Sequence, residues 1–324
     1  LNQLQRAAGG AQTLPSTLVF DYPTARQLAS YFVSGTAGEP SEVVAPVHTS
    51  SRSEVRAGAC GLAALLPAGA SGLAVCQAMA ETGADVVSEV PTDRWQLKVL
   101  KFDDDVIGRR VRHGAFVHDV HLFDSEKFGV SPAEAIVMDP QQRLLLERGY
   151  QSLVGAGLEK AALFGTVTGV FIGIGAQDFA FVLAGTAAGN SVYSATGCSH
   201  SVASGRLSYV LGLQGPCASY DTACSSALTA CHAGMRALQN RDCSRGLVAG
   251  VSLMLVPTLG TSFAVAGMTS ARGRCHTFDR RADGFVRSEG CCALTLLYAD
   301  NVGVISLSSG CVRQDGKSAS LTAP

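Results

Sequence analysis

The sequence lacks the features that mark a membrane, secreted or nucleic-acid-binding protein. None of its apolar runs reaches the roughly 18 residues that a membrane span needs. Its net charge of −1 gives no electrostatic reason to bind nucleic acid or an anionic membrane. The first residues show no basic stretch followed by an apolar one, as a secretory signal would. We therefore expect a cytoplasmic protein, with a plastid not excluded, and no nucleic-acid or membrane partner.

The chain also lacks the spacing of a metal site. Its 11 cysteines are scattered, and two cysteines never occur three positions apart. Cys275–His276 and Cys291–Cys292 are adjacent pairs, and adjacent residues do not easily bind one ion together. We expect no metal site, and we interpret the cysteines as small, buried, free thiols in a reducing compartment.

Charged residues (16%) and aromatic residues (6%) are scarce, whereas apolar residues make up 47% and glycine occurs 36 times. This composition is typical of a globular protein with a large core and many tight turns. In residues 1–35, Asp21 and Pro23 precede a short amphipathic pattern, which predicts a helix at the end of a domain whose beginning is missing. Residues 36–57 are rich in Ser, Pro and Ala without periodicity, which predicts a linker.

From residue 58 onward, apolar runs alternate with helical patterns. A helix is predicted after Asp139, with Asp139 as N-cap, Gln142 completing a capping box and Gly155 or Gly157 at the end. Three continuous apolar runs predict strands buried on both faces: residues 169–175, 246–256 and 291–299. Strands interleaved with helices favour a layered α/β fold with a mixed sheet.

Cys224 lies where a nucleophile is expected. Residues 218–223 (ASYDTA) predict a short strand and a turn, and the apolar residues that follow recur at helical spacing: Leu228, Cys231, Met235 and Leu238. At a helix N-terminus, exposed N–H groups and the helix dipole favour thiolate over thiol and stabilise an oxyanion. On spacing alone, a buried structural cysteine remains an alternative.

The segment DTACSSALTACHA (221–233) resembles the active-site signature of β-ketoacyl synthases, in the branch of modular polyketide synthases. Other segments match the same family in order and spacing: 123–135, 138–147 (MDPQQRLLLE), 196–226, 273–291 (GRCHTFDRRADGFVRSEGC) and 314–324. Residues 1–35 resemble the C-terminal end of an acyl carrier domain. The resemblance covers nearly the whole chain, with a linker at 36–57 and an incomplete ketosynthase, mainly its N-terminal half, at 58–324.

The resemblance implies a thiolase-like fold, layered αβαβα, in a protein that is a homodimer when complete. It also implies a 3-oxoacyl-[acyl-carrier-protein] synthase type of acyltransferase, in which Cys224 accepts an acyl chain as a thioester. A malonyl-type extender on another carrier domain then loses CO2 and attacks that thioester, in a decarboxylative Claisen condensation. The resemblance implies no directly bound cofactor, because both substrates are attached as thioesters to the phosphopantetheine of acyl carrier domains. Fatty-acid rather than polyketide synthesis shares this chemistry and remains open.

The family adds two histidines after the nucleophile, in His-Gly-Thr-Gly-Thr and Asn-Ile-Gly-His motifs, and neither motif occurs here. The serine that bears phosphopantetheine is also absent. We therefore expect a C-terminally truncated chain that cannot complete the condensation, and a non-catalytic remnant or dimerisation module is the alternative.

The histidines that the chain does contain are not expected to replace the missing pair. His232 lies eight residues after Cys224, roughly 12 Å along the same helix, and is interpreted as a packed helix residue. His200 is expected to be a solvated surface or interface residue, and His276 a variable position. Three further histidines have no nucleophile near them in sequence: His113, His118 and His121.

Overall fold

A computed structural model of the chain describes residues 29, 56–96, 105–298, 305–314 and 316–317. The chain divides into two units, Leu1–Glu54 with Val312–Pro324, and Val55–Cys311. The first unit is described only at residues 29, 312–314 and 316–317, so the predicted carrier helix and most of the linker lie outside the described residues. The architecture below is that of the second unit.

Two sheets contain the described strands. They are β1 (Ala57–Leu66), β2 (Ala70–Ser71), β3 (Ser88–Glu89), β4 (His113–Gly114), β5 (Thr168–Gly173), β6 (Cys217–Tyr220), β7 (Arg245–Ser252), β8 (Gly290–Tyr298) and β9 (Ile305–Leu307). The main sheet has the order β2-β1-β8-β7-β5-β6, with β9 also pairing to β1. β5 runs parallel to β6 and β7, whereas β8 runs antiparallel to β7 and β1. The predicted mixed sheet is therefore confirmed.

The described helices are α1 (Leu73–Thr82), α2 (Asp105–Arg110), α3 (Pro132–Val137), α4 (Pro140–Gly155), α5 (Lys160–Leu163), α6 (Asp178–Ala184), α7 (Ser194–Cys198), α8 (His200–Leu211), α9 (Ser226–Gln239) and α10 (Thr258–Val265). Among the described residues, no helix combines the length and the apolar character that crossing a bilayer requires.

Helices cover both faces of the main sheet, and alternate residues of its central strands belong to two separate cores. Ile172 and Leu247 pack with α4 and α8 on one face. Phe171 and Val248 pack with α9 on the other face. Since successive side chains of a strand point to opposite faces, a run buried on both faces has to be apolar throughout. This explains the continuous apolar sequence of β5 and β7 and confirms the predicted layered α/β fold.

The predicted start of α4 is confirmed, but its capping box is wrong. The carboxylate of Asp139 accepts from the backbone N–H of Gln141 at 2.8 Å, as an N-cap does. The side chain of Gln142 does not turn back to the cap. It donates instead to the carbonyl oxygens of Thr196, Gly197 and Ser199 at 3.0–3.2 Å. A tertiary contact therefore replaces the expected local one.

Three other expectations need correction. The second buried run, predicted at 246–256, is shorter than expected, since β7 ends at Ser252. Leu228 is exposed, because α9 turns Ala230, Met235 and Leu238 toward the sheet instead. The cysteines were expected to be buried, but only Cys243 and Cys291 are, whereas Cys217, Cys224, Cys275, Cys292 and Cys311 are exposed.

Candidate active site

Cys224 lies in a single 3-10 turn, Ala223–Ser225, between the end of β6 and the start of α9. Ala223 has a φ of 54°, in the left-handed region that a residue with a Cβ rarely adopts. This kink separates the strand direction from the helix direction and leaves the Cys224 side chain exposed. The predicted strand, turn and helix are thus confirmed around this residue.

Two short side chains hold the strained turn. A carboxylate oxygen of Asp221 accepts from the N–H of Ala223 at 3.1 Å. The hydroxyl oxygen of Ser226 accepts from the N–H of Thr222 at 2.9 Å and donates to the carbonyl oxygen of Ala223 at 2.7 Å. Strained backbone persists where its surroundings fix it, and such positions cluster at functional sites. The turn is therefore built to present Cys224.

Two glycines bring the start of α9 onto the sheet. A Cβ on Gly173, the last residue of β5, would lie 2.5 Å from the backbone nitrogen of Ala227. A Cβ on Gly250 in β7 would lie 2.7 Å from the Cβ of Ala227. Because neither glycine has a side chain, the first turn of α9 rests directly on the parallel strands. The position of Cys224 is thus set by the carboxyl end of β5.

Buried polar groups fix the loop after β5, next to the turn. The side chain of Gln141 donates to the carbonyl oxygen of Ala176 at 2.8 Å, and the same oxygen lies 3.0 Å from Nε2 of His200. A Cβ on the neighbouring Gly175 would lie 2.9 Å from the Asp221 carboxylate. His200 is therefore half-buried and bonded to backbone, which corrects the expectation of a solvated histidine.

Arg206 links this network to α3. It donates through Nε to the side-chain oxygen of Gln142 at 2.6 Å and forms an ion pair with Glu134. Burial raises the pKa of Asp139, against the lowering effect of its hydrogen bonds with Gln141. Side chains of the MDPQQR segment thus hold the loops next to the site through hydrogen bonds to distant residues. The local sequence did not predict this role.

Glu289 forms the centre of a second buried network that the sequence analysis missed. Its carboxylate accepts from the N–H groups of Val117 and Met254, both at 2.7 Å, and pairs with Arg94 at 3.1 Å. Burial raises the pKa of this carboxyl group, while Arg94 and the two amides act in the opposite direction. Asp178 similarly accepts from the N–H groups following β7. The available signal was the position of Glu289 directly before the apolar run that forms β8.

No hydrogen bond joins a histidine to Cys224 in the described part of the chain. Nδ1 of His232 is buried without a partner on α9, where the interpretation as a packed residue is supported. His118 and His121 are exposed, and His113 and His276 are half-buried. Within the ranges that the structure describes, no group of three or more His, Cys, Asp or Glu side chains is placed to hold a metal ion.

We expect Asp221→Ala to lower the alkylation rate of the Cys224 thiol by iodoacetamide about threefold to tenfold, because the turn loses one acceptor worth about 1 kcal/mol. The rate is measured by peptide mass spectrometry, with exposed Cys275 in the same digest as the internal reference.

Asp124→Ala is the matched control for Asp221→Ala. Asp124 accepts from a backbone N–H at 3.1 Å in a different exposed loop. An equal fall in the Cys224 rate in this control would show that Asp221 does not support the turn specifically.

Comparison with known proteins gives one consistent result. Residues 59–301 match the family model described as "Beta-ketoacyl synthase, N-terminal domain". "Polyketide synthase GfsB" of Streptomyces halstedii is 41% identical over 100% of the chain, and "Spectinabilin polyketide synthase system protein NorA'" of Streptomyces orinoci is 38% identical over 100%. The chain spans only 6% and 9% of these two relatives.

Solved structures extend the match to the fold. The ketosynthase from module 6 of the bacillaene synthase from Bacillus subtilis 168 superposes with a TM-score of 0.70 at 30% identity. The match covers 83% of this chain and 46% of that ketosynthase. The predicted thiolase-like fold is thereby confirmed.

Proposed function

Because the chain belongs to the β-ketoacyl synthase family, as a ketosynthase domain of type I polyketide synthases, we propose that Cys224 is the nucleophile that carries the acyl chain. The observation that carries this proposal is the exposed thiol on a strained turn at the start of α9. The N–H groups in the first turn of a helix have no partner within the helix and attract developing negative charge. The small residues around Cys224 leave room for a thioester to approach.

The proposed first step is acyl transfer. The Cys224 sulfur attacks the carbonyl carbon of an acyl thioester, a C–S bond forms, and the pantetheine thiol of the acyl carrier domain leaves with a proton. In the condensation that follows, a malonyl-type extender loses CO2 and its carbanion displaces the Cys224 sulfur. That step uses the histidines of the two motifs that this sequence does not contain. We therefore assign acyl transfer, without turnover to product, to these 324 residues.

The organisation proposed for the chain follows the resemblance. Residues 58–324 form the N-terminal half of the ketosynthase, 36–57 the linker and 1–35 the end of an acyl carrier domain. The partners are acyl carrier domains loaded with acyl and malonyl-type thioesters, and a second copy of the complete protein. The similarity to polyketide synthases favours polyketide over fatty-acid synthesis.

One observation favours an interaction module as the second candidate function. Several large apolar side chains are exposed, among them Tyr209 (88%), Val192 (87%) and Phe164 (82%). Side chains of this kind mark contact with another protein where they form one contiguous patch. An interaction module needs no reactive Cys224, so the same experiment separates the two functions.

The test is labelling by a small acyl thioester. Incubation with propionyl-N-acetylcysteamine is expected to add one propionyl group to Cys224, and Cys224→Ala to lose it. Intact-mass and peptide mass spectrometry measure the label. Cys275→Ala, which removes another exposed thiol, is the control and keeps the label. A label that persists in Cys224→Ala, or the absence of any label on the unmodified chain, contradicts the proposal.

A further inference from the structure

A cavity lies apart from the Cys224 turn, between α2, β4, α10 and the segment 267–287. Its apolar wall includes Trp95, Phe116, Met254 and Phe285. Trp95 and Phe116 meet edge to face, with their ring centroids 6.1 Å apart. No residue of the β6–α9 turn lines this cavity, so it is not part of the proposed acylation site.

Three buried polar atoms of the cavity wall have no hydrogen-bond partner among the described residues. Thr269 is only 4% exposed, yet its hydroxyl Oγ1 has no hydrogen bond to a residue that the structure describes. The indole N–H of Trp95 and Nδ1 of His113 are likewise buried without a partner in the described part of the chain. Buried polar groups are satisfied in nine or more cases out of ten, and each exception costs stability. Three such groups in one small space indicate that a ligand bonds to them.

The cavity is also rich in positive charge. Arg110 and Arg287 line it, and no aspartate or glutamate is among the described residues of its wall. Arg110 is occupied, since its guanidinium donates to the carbonyl oxygens of Gly267, Thr269 and Asp283 and thereby holds the wall in place.

Arg287 is the arginine of this cavity wall that is available to bind a ligand. Its guanidinium stacks over the Phe263 ring, 5.6 Å from the centroid, and makes no hydrogen bond to a described residue. Burial lowers the pKa of Arg287, while the charges of Asp178 and Glu289 behind it act in the opposite direction. Burial also lowers the pKa of His113 in the wall. The groups without a described partner are thus a guanidinium, an indole N–H, a hydroxyl and Nδ1 of His113, which donates in its Nδ1–H tautomer. Together they suit a ligand that accepts hydrogen bonds.

We propose that this cavity binds a small carboxylate. The planar guanidinium of Arg287 matches two carboxylate oxygens, and the Trp95 N–H and the Thr269 hydroxyl supply further donors. The aromatic wall accepts a short apolar body beside the carboxylate. The enclosed part of the cavity admits only a few heavy atoms, so a ligand that fits wholly inside it is of the size of formate, acetate or propionate.

Trp95 makes the test direct, because it is the only tryptophan among the 324 residues. Its intrinsic fluorescence is titrated with sodium acetate at constant ionic strength, with sodium chloride as the exchanged salt. We expect a saturable change with acetate, and weaker binding of hexanoate because the cavity excludes its chain.

Substitutions in the wall then identify the donors. Arg287→Gln is expected to weaken acetate binding about tenfold or more, and Thr269→Val, which keeps the side-chain shape, about threefold to tenfold. Arg281→Gln removes an exposed cation paired with Asp279 and leaves binding unchanged.

A fluorescence change that stays linear with acetate, or that chloride reproduces, overturns the proposal. So does equal affinity in Arg287→Gln and in the unmodified chain. If Arg287→Gln does not fold, Thr269→Val decides the question, since removing one hydroxyl leaves the packing intact. Labelling of Cys224 is expected in every one of these variants that folds, so the failure of this site is distinguishable from the failure of the acylation proposal.

Discussion

Gly173→Ala is expected to slow acylation of Cys224 by about two orders of magnitude, the effect of a displacement of roughly 1 Å at a reacting group. The new Cβ would lie 2.5–2.7 Å from backbone atoms of Ser226 and Ala227. Backbone cannot rotate away as a long side chain can, so the first turn of α9 has to move. Burst kinetics with an acyl thioester, followed by intact-mass spectrometry, measure the rate.

The same substitution is expected to lower the free energy of unfolding by about 1–3 kcal/mol, because the core is overpacked. Gly205→Ala is the matched control. Gly205 lies inside α8, and a Cβ there meets nothing within 4 Å. Alanine favours a helix by about 0.4–1 kcal/mol over glycine, so this control is expected to gain stability and to acylate normally. Normal acylation of Gly173→Ala would show that the glycine contact does not position Cys224.

Glu289→Ala is expected to cost about 3–5 kcal/mol of unfolding free energy, a large part of the 5–15 kcal/mol that stabilises a typical domain. The carboxylate is fully buried and holds Arg94 together with the N–H groups of Val117 and Met254. Removing it leaves one charge and two amides buried without their acceptor. Urea denaturation followed by Trp95 fluorescence measures the change.

A surface pair provides the control for this substitution. Glu89 pairs with Arg112 at 2.9 Å, but both side chains are more than half exposed. Glu89→Ala is therefore expected to cost about 1 kcal/mol or less, because water and salt screen the pair. Equal losses in the two variants would mean that burial of Glu289 contributes nothing.

The sequence predicted those parts of the site that depend on neighbours along the chain. Periodicity after Cys224 predicted α9, and Asp139 with Pro140 predicted the start of α4. Both signals are short-range, because a cap or a helical face involves residues within a few positions. The assignment of Cys224 as nucleophile rests on the resemblance and stays a prediction until the labelling experiment is done.

The parts that were missed depend on partners far along the chain. The carbonyl group of Gly197, which accepts a hydrogen bond from Gln142, is 55 residues away from it in the sequence. The N–H of Val117, which donates to Glu289, is 172 residues away from that glutamate. Only the tertiary fold brings such groups together, so no local pattern contains them. Leu228 was predicted to be buried and is exposed. Helical spacing identified the helix, but it did not determine which face of the helix meets the sheet.

The antiparallel pairing of β1 with β8 has a consequence during synthesis on the ribosome. The Cys60 thiol and the Thr295 carbonyl group that it contacts are 235 residues apart. At about 5–20 residues per second, β1 waits roughly 10–50 s for the strand that will cover its edge. Its sequence, AGACGLAALL, contains no β-branched or aromatic residue. Such a segment has little tendency to form intermolecular sheets, so the nascent chain tolerates the delay.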